Sequence, residues 1–198
     1  MILFYLCLAL LFSMKYSIIF FPGMIFHEFS HLVACLLFGV KVKKVKFLGL
    51  NEAYVVHEQS NALKSIMITI APFILGNLIS FYFFSYSFSL LFFSNYLGFV
   101  FLWLGLSLVY YSFPSNQDAK NTFNAFKDFY ASNLVKRNIF IKLLLIVSIP
   151  FVFIPLFVIL GLMVLFNYFY FLRLAWILTV FILAFNQLYL FELINSLF

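Results

Sequence analysis

The chain has 198 residues, of which 66% are hydrophobic, 23% aromatic and only 9% charged. A soluble domain carries about a quarter charged residues, so this composition excludes an ordinary globular enzyme and indicates an integral membrane protein with little mass outside the lipid bilayer. The net charge of +6 is no sign of a nucleic-acid partner, because five of the twelve Lys and Arg fall in 40–64 and five in 114–142. The other two are Lys15 and Arg173. Residues 65–117 carry no charge at all, and that stretch has room for two spans of about 20 residues each. Two crossings return the chain to the side it left, so both basic loops share one side. The positive-inside rule makes that side the cytoplasm.

In chain order, residues 1–21 are long enough to span, with Lys15 able to snorkel to the far interface. Neither a basic lead-in nor a small-residue cleavage site is present in 1–12, so this run reads as a retained helix and not a signal peptide. The N-terminus is then cytoplasmic. Pro22 suits the first turn of a second helix, and Gly39 suits its end. This helix, about 24–38, runs inward and is apolar except for His27, Glu28, Ser30 and His31.

His27 and His31 stand at i and i+4, one above the other on one helix face. That spacing lets two imidazoles bind one tetrahedral zinc, and Glu28 can reach a water on the open position. Chance places His-Glu-x-x-His in about one chain in a thousand of this composition, which makes the motif specific. Ionisable groups inside a membrane helix cost about 2.5–3.5 kcal/mol each and mark function by default. A polar cluster bonded to neighbouring helices is the plainer alternative, but it does not account for the spacing. Measured from Gly39 at about 1.5 Å per residue, the site falls within the bilayer, nearer the cytoplasmic face.

Residues 40–48 alternate apolar and basic side chains apart from a slip at Lys43-Lys44, and 53–57 form a second β-prone run. With turn chemistry at 49–52, these predict a short hairpin at the membrane surface. Its edge offers a way to hold an unwound peptide as an added strand; a solvated basic loop that only fixes topology is the competing reading. The third helix spans 62–84 and contains Pro72, Gly76 and Asn77, which mark a kink or a close helix contact and a buried amide. A turn within 85–95 leads to a fourth helix ending near Phe113. Pro114 to Asn121 then form a polar break on the cytoplasmic side. Residues 119–138 space Phe123, Phe126, Phe129 and Tyr130 like a helix lying on the membrane surface. Two more spans follow, about 140–170 and 174–198, with Arg173 at the outer turn. Cys7 and Cys35 read as small buried hydrophobes, giving no disulfide framework. The expectation is one all-α polytopic membrane domain over 1–198, with about six transmembrane helices and the surface hairpin.

A catalytic zinc takes three protein ligands and one open position. Beyond the two histidines the candidates are Glu52, His57, Glu58, Asp118, Asp128 and Glu192. His57 and Asp118 rank almost equal on the residues alone. The order of elements adds to this. The helix with His27-Glu28-x-x-His31, the short basic β-like loop, the Ala71-Pro-x-x-x-Gly-Asn77 segment and the Pro-led break with Asp118 together resemble the site-2 protease family of intramembrane zinc metalloproteases. The resemblance covers about residues 20–121, the catalytic core, and leaves 122–198 as extra helices. Ala71 stands where the family has Gly, and Ala119 follows Asp118 where the family has Gly. The resemblance implies one zinc held by His27, His31 and Asp118, Glu28 as catalytic base, and Asn77 as an orienter of substrate or oxyanion. The implied substrate is a membrane-protein or peptide segment, cut in or near its span. Other classes remain: a metal-bearing scaffold, a small transporter, or another membrane protease such as one for prenylated peptides. A transporter needs polar groups spread along a path, whereas the ionisable ones here gather at one depth.

Overall fold

The computed structural model describes residues 19–47 and 53–197, with 188–197 as backbone. The fold is mostly helical with one small sheet. In order it runs α1 (Phe21–Leu37), β1 (Val42–Lys46), β2 (Tyr54–His57), α2 (Ala62–Phe92), α3 (Leu97–Tyr111), α4 (Asn116–Lys136), α5 (Ile139–Tyr168) and α6 (Tyr170–Leu197). The expected first span, with Lys15 and Cys7, lies outside the described residues, as do Glu52 and the hairpin turn.

Among the described residues three helices, α2, α5 and α6, are long and apolar enough to cross a membrane, or four spans if the bent pair α3 and α4 counts as one. The first of the six expected spans falls outside the described residues. Helix α1 has only 17 residues, and α3 and α4 meet that test only together, as a pair bent by 41°. Helix α5 carries apolar side chains that the protein leaves uncovered, such as Phe140 at 83% exposure and Phe151 at 75%. A surface of that kind is compatible with a lipid setting, since soluble proteins rarely present so continuous an apolar face.

Helices α1, α2 and α3 pack together, and small residues bring them close. The Gly23 backbone N–H donates to Ser107 Oγ at 2.7 Å, and a side chain at Gly23 would run into the Ser107 carbonyl. At Gly76 an added Cβ would sit 2.9 Å from Ser112 Cβ. The Pro72/Gly76 segment is therefore a close-contact seam, and α2 continues through Pro72 to Phe92. Gly39 ends α1 at φ +62°, a left-handed conformation that glycine adopts without penalty.

The hairpin forms as expected: β1 and β2 pair antiparallel. Its register shifts between Val42 and Lys44, at the Lys43-Lys44 slip in the alternation. An extra residue on one strand is the definition of a bulge. Tyr54 lies under Lys44 at 5.5 Å and raises its ammonium pKa above the usual lysine value through a hydrogen bond.

The second half adds two features that the sequence does not specify. Helix α4 packs against α2 and α5. Most of its apolar stripe is covered, with Phe126 and Tyr130 buried and Phe123 packed against Phe157 of α5, while Phe129 stays exposed. Thr122 reaches Thr69 of α2 at 2.5 Å, and Tyr130 reaches Ser148 of α5 at 2.9 Å. Second, α4 leads away from the α3 end and α5 returns alongside it. The α5–α6 turn therefore comes back to the 113–116 segment, where Asn167 Nδ2 donates to the Pro114 carbonyl at 2.8 Å. The Arg173 turn stands at the polar break, not at the opposite end of the molecule.

Candidate metal centre

The centre is built from a helix face and a helix start. On α1, His27 and His31 are both buried, at 8% and 5% exposure. The i, i+4 spacing brings their rings together edge to face, 82° apart, and the two Nε2 atoms approach to 3.1 Å. Each ring is held from behind by a backbone carbonyl: His27 Nδ1 donates to Tyr111 O at 2.7 Å, and His31 Nδ1 to Ile68 O at 2.8 Å. A carbonyl only accepts, so both rings carry their proton on Nδ1. Both Nε2 lone pairs then face inward, the arrangement that orients metal-ligating histidines.

Asp118 supplies the third group. It occupies the third position of α4, in a capping box with Ser115. The Ser115 N–H and hydroxyl donate to Asp118 Oδ2 at 2.8 and 2.7 Å, and Asp118 N–H donates back to Ser115 Oγ at 3.2 Å. This brace sets the carboxylate where the chain leaves α3. Oδ2 stands 3.6 Å from His27 Nε2 and 3.5 Å from His31 Nε2.

Three electron-rich atoms thus form a triangle with sides of 3.1, 3.5 and 3.6 Å. The point equidistant from its corners lies about 2.0 Å from each, the bond length of zinc to imidazole nitrogen and carboxylate oxygen. Two inward lone pairs beside a carboxylate repel one another unless a cation or proton lies between them. The donor set and its spacing therefore fit a zinc-sized ion. Among the described residues the structure brings His27, His31 and Asp118 together as a group able to hold a metal ion.

The alternatives for the third position fall elsewhere. His57 Nδ1 donates to the Glu58 carbonyl at 2.8 Å, and the residue lines a separate polar groove of about 750 Å³ between β2 and α4. Asp128 accepts from Gln59 Nε2 at 2.7 Å across that groove. Glu58 sits at the end of the hairpin, its N–H on the Lys41 carbonyl at 2.8 Å. The Glu192 side chain lies outside the described residues.

Glu28 is half-buried and shares a cavity of about 230 Å³ with His27 and Tyr111. Its carboxylate lies close enough to the Val55 backbone N–H, and to His27, His31 and Asp118, to feel their charges. Strand β2 therefore runs beside the Glu28 carboxylate, a contact that the sequence does not announce. Asn77 is engaged structurally. Its Nδ2 donates to Phe73 O at 2.7 Å and Ser112 Oγ at 3.1 Å, and its Oδ1 accepts from Trp176 Nε1 at 2.7 Å. It ties α2 to α3 and α6.

Sequence reasoning missed Ser115, Asn167 and Arg173. The Ser115-x-x-Asp118 pattern is a readable capping signature. Asn167 and Arg173 show nothing in sequence beyond being polar residues in apolar runs. Comparison with models of known protein families, with curated proteins and with solved structures finds no match.

Proposed function

We propose that this chain is a zinc-dependent intramembrane protease that hydrolyses peptide bonds in or near the spans of membrane proteins. His27, His31 and Asp118 hold the ion, one per chain, and leave a coordination position free. The observation that supports this most is the triangle of Nε2, Nε2 and Oδ2 atoms, each oriented by a backbone or capping bond, with Glu28 alongside. A zinc ion bound there supplies Lewis acidity, lowering the pKa of water toward about 7 and polarising a carbonyl oxygen. Glu28 takes a proton from the attacking water and delivers it to the leaving amine nitrogen. The C–N bond breaks, the carbonyl carbon gains the hydroxyl, and the amine leaves protonated. A helical segment hides its carbonyls in its own hydrogen bonds, so the substrate must unwind before it is cut. The β2 edge at Val55, beside Glu28, suits an unwound segment held as an added strand.

In this reading the chain is a multi-pass protein of the cell membrane. A closed structural zinc would require a fourth protein ligand; the cluster among the described residues is made of three.

The experiment is cleavage of single-span test peptides by the purified protein in vesicles, with products located by mass spectrometry. Stripping zinc with a chelator should abolish cleavage, and adding zinc back should restore it. Cleavage that survives complete metal removal would overturn the proposal.

A further inference from the structure

Arg173 is a charged residue in an apolar helix that the catalytic scheme does not use. A cation in that setting costs about 2.5–3.5 kcal/mol on insertion scales and is ordinarily paired. Here, among the described residues, no carboxylate lies within ion-pair range of it. Its partners are neutral. One guanidinium nitrogen, Nη2, donates to Asn167 Oδ1 at 2.5 Å, and the guanidinium carbon lies 5.0 Å from the Tyr110 ring centre and 5.6 Å from that of Phe113. Its Nε is the one buried side-chain nitrogen or oxygen, among those described, with no hydrogen-bond partner.

The surroundings hold this cation in place. Asn167 is itself tied to the Pro114 carbonyl and to Asn116 Oδ1, at 2.8 and 3.3 Å, on the segment that leads to Asp118. The cavity of about 230 Å³ that Arg173 and Asn167 line is the one that also exposes His27 and Glu28. Arg173 lines the same space as His27 and Glu28, and a guanidinium held there by neutral partners alone is suited to a planar anion.

We propose that Arg173 recognises a carboxylate on the substrate, close in sequence to the bond that is cut. This rests on the proteolytic reading and deepens it to a substrate class: segments with an acidic residue, or a free chain end, near the cleavage point. A carboxylate is favoured over a lipid phosphate because the occupant of this cavity must also reach His27 and Glu28, which a peptide does. The volume is that of one or two side chains.

The test uses the full-length, zinc-loaded Glu28→Gln protein in neutral phosphatidylcholine vesicles, so that binding is read without turnover. The probes are labelled single-span peptides with amidated C-termini, carrying Asp or the isosteric Asn at successive positions; a second set carries a free C-terminal carboxylate. At one narrow window of positions, Asp should bind about tenfold or more tighter than Asn, the worth of a charged hydrogen bond. If the free terminus is what Arg173 reads, the preference appears only in the second set. Arg173→Gln should bring the acid-to-amide ratio to about one, and Arg173→Lys should leave part of it, as expected when a fork is replaced by a point charge. Zinc content shows whether each variant has kept its site.

A second reading needs no Arg173 variant. The chain has two arginines, Arg137 and Arg173, so ¹⁵N-arginine labelling gives two Nε–H signals, assigned with Arg137→Lys. The Arg173 signal should move on adding the Asp peptide and stay put with the Asn peptide. Absence of any acid preference, a preference that persists in Arg173→Gln, or a response only to anionic lipid would overturn the inference. Acid-selective binding without cleavage in the parent protein would instead sink the proteolytic reading and leave the carboxylate site standing.

Discussion

Glu28→Gln is expected to hold zinc as the parent protein does while losing about a hundredfold to ten-thousandfold in cleavage rate, the range that a positioned acid–base group contributes. The amide keeps the size of the carboxylate but cannot take a proton from water. Glu28 is not a corner of the triangle, which is made of His27, His31 and Asp118, so the metal shell is left intact. The Val55 N–H beside Glu28 still meets an oxygen in the glutamine carbonyl. Zinc analysis beside a cleavage assay checks both halves. Retained cleavage would remove Glu28 as the base, and lost zinc would mean that it belongs to the shell.

Asp118→Asn is expected to weaken zinc binding by more than about 100-fold, beyond the 10–100-fold that follows loss of a group behind a ligand. The substitution preserves shape and still offers an oxygen to the Ser115 N–H, so the start of α4 is largely kept. What it removes is the negative charge between His27 and His31, 3.6 and 3.5 Å away. His57→Gln is the comparison. That imidazole is directed to the Glu58 carbonyl, outside the cluster, and its loss should leave zinc affinity within about twofold, as for a surface polar group. The opposite pattern, with zinc lost only in His57→Gln, would assign the third ligand to the hairpin.

The two substitutions also mark what the chain makes legible. His27, Glu28 and His31 are readable because helix periodicity alone puts them on neighbouring faces, a local property that no other part of the fold has to supply. The hairpin is readable for the same reason, down to the Lys43-Lys44 slip that becomes the register shift. Asp118 is different. Nothing in its neighbourhood separates it from His57, because its position depends on where α3 stops and on how the start of α4, braced by Ser115, packs on α2. Without the family resemblance the two residues remain level.

The second half of the chain was harder to read, and for a related reason. Apolar run lengths give the existence of α5 and α6 but not the level at which they pass their neighbours. The side-chain contacts of Phe123 with Phe157 and of Tyr130 with Ser148 set that level. Once α4 and α5 lie against each other, the α5–α6 turn is carried back to Pro114, and Arg173 arrives at the site. The same packing covers most of the stripe on α4 that otherwise reads as a membrane-surface helix, because an apolar stripe looks alike whether lipid or another helix meets it. Asn77 illustrates a further limit: a buried amide in a span predicts a partner, and only tertiary structure names Trp176 and Ser112.

The central claim is that two imidazoles and one carboxylate hold a zinc ion with a position left open. X-ray absorption at the zinc edge of the purified protein in detergent tests it most directly. One zinc per chain is expected, bound by two imidazole nitrogens and light oxygen donors at about 2.0–2.2 Å, with one oxygen exchangeable for an added inhibitor ligand. A zinc shell containing sulfur, a shell closed by four protein ligands, or protein that takes up no zinc when it is supplied would contradict it.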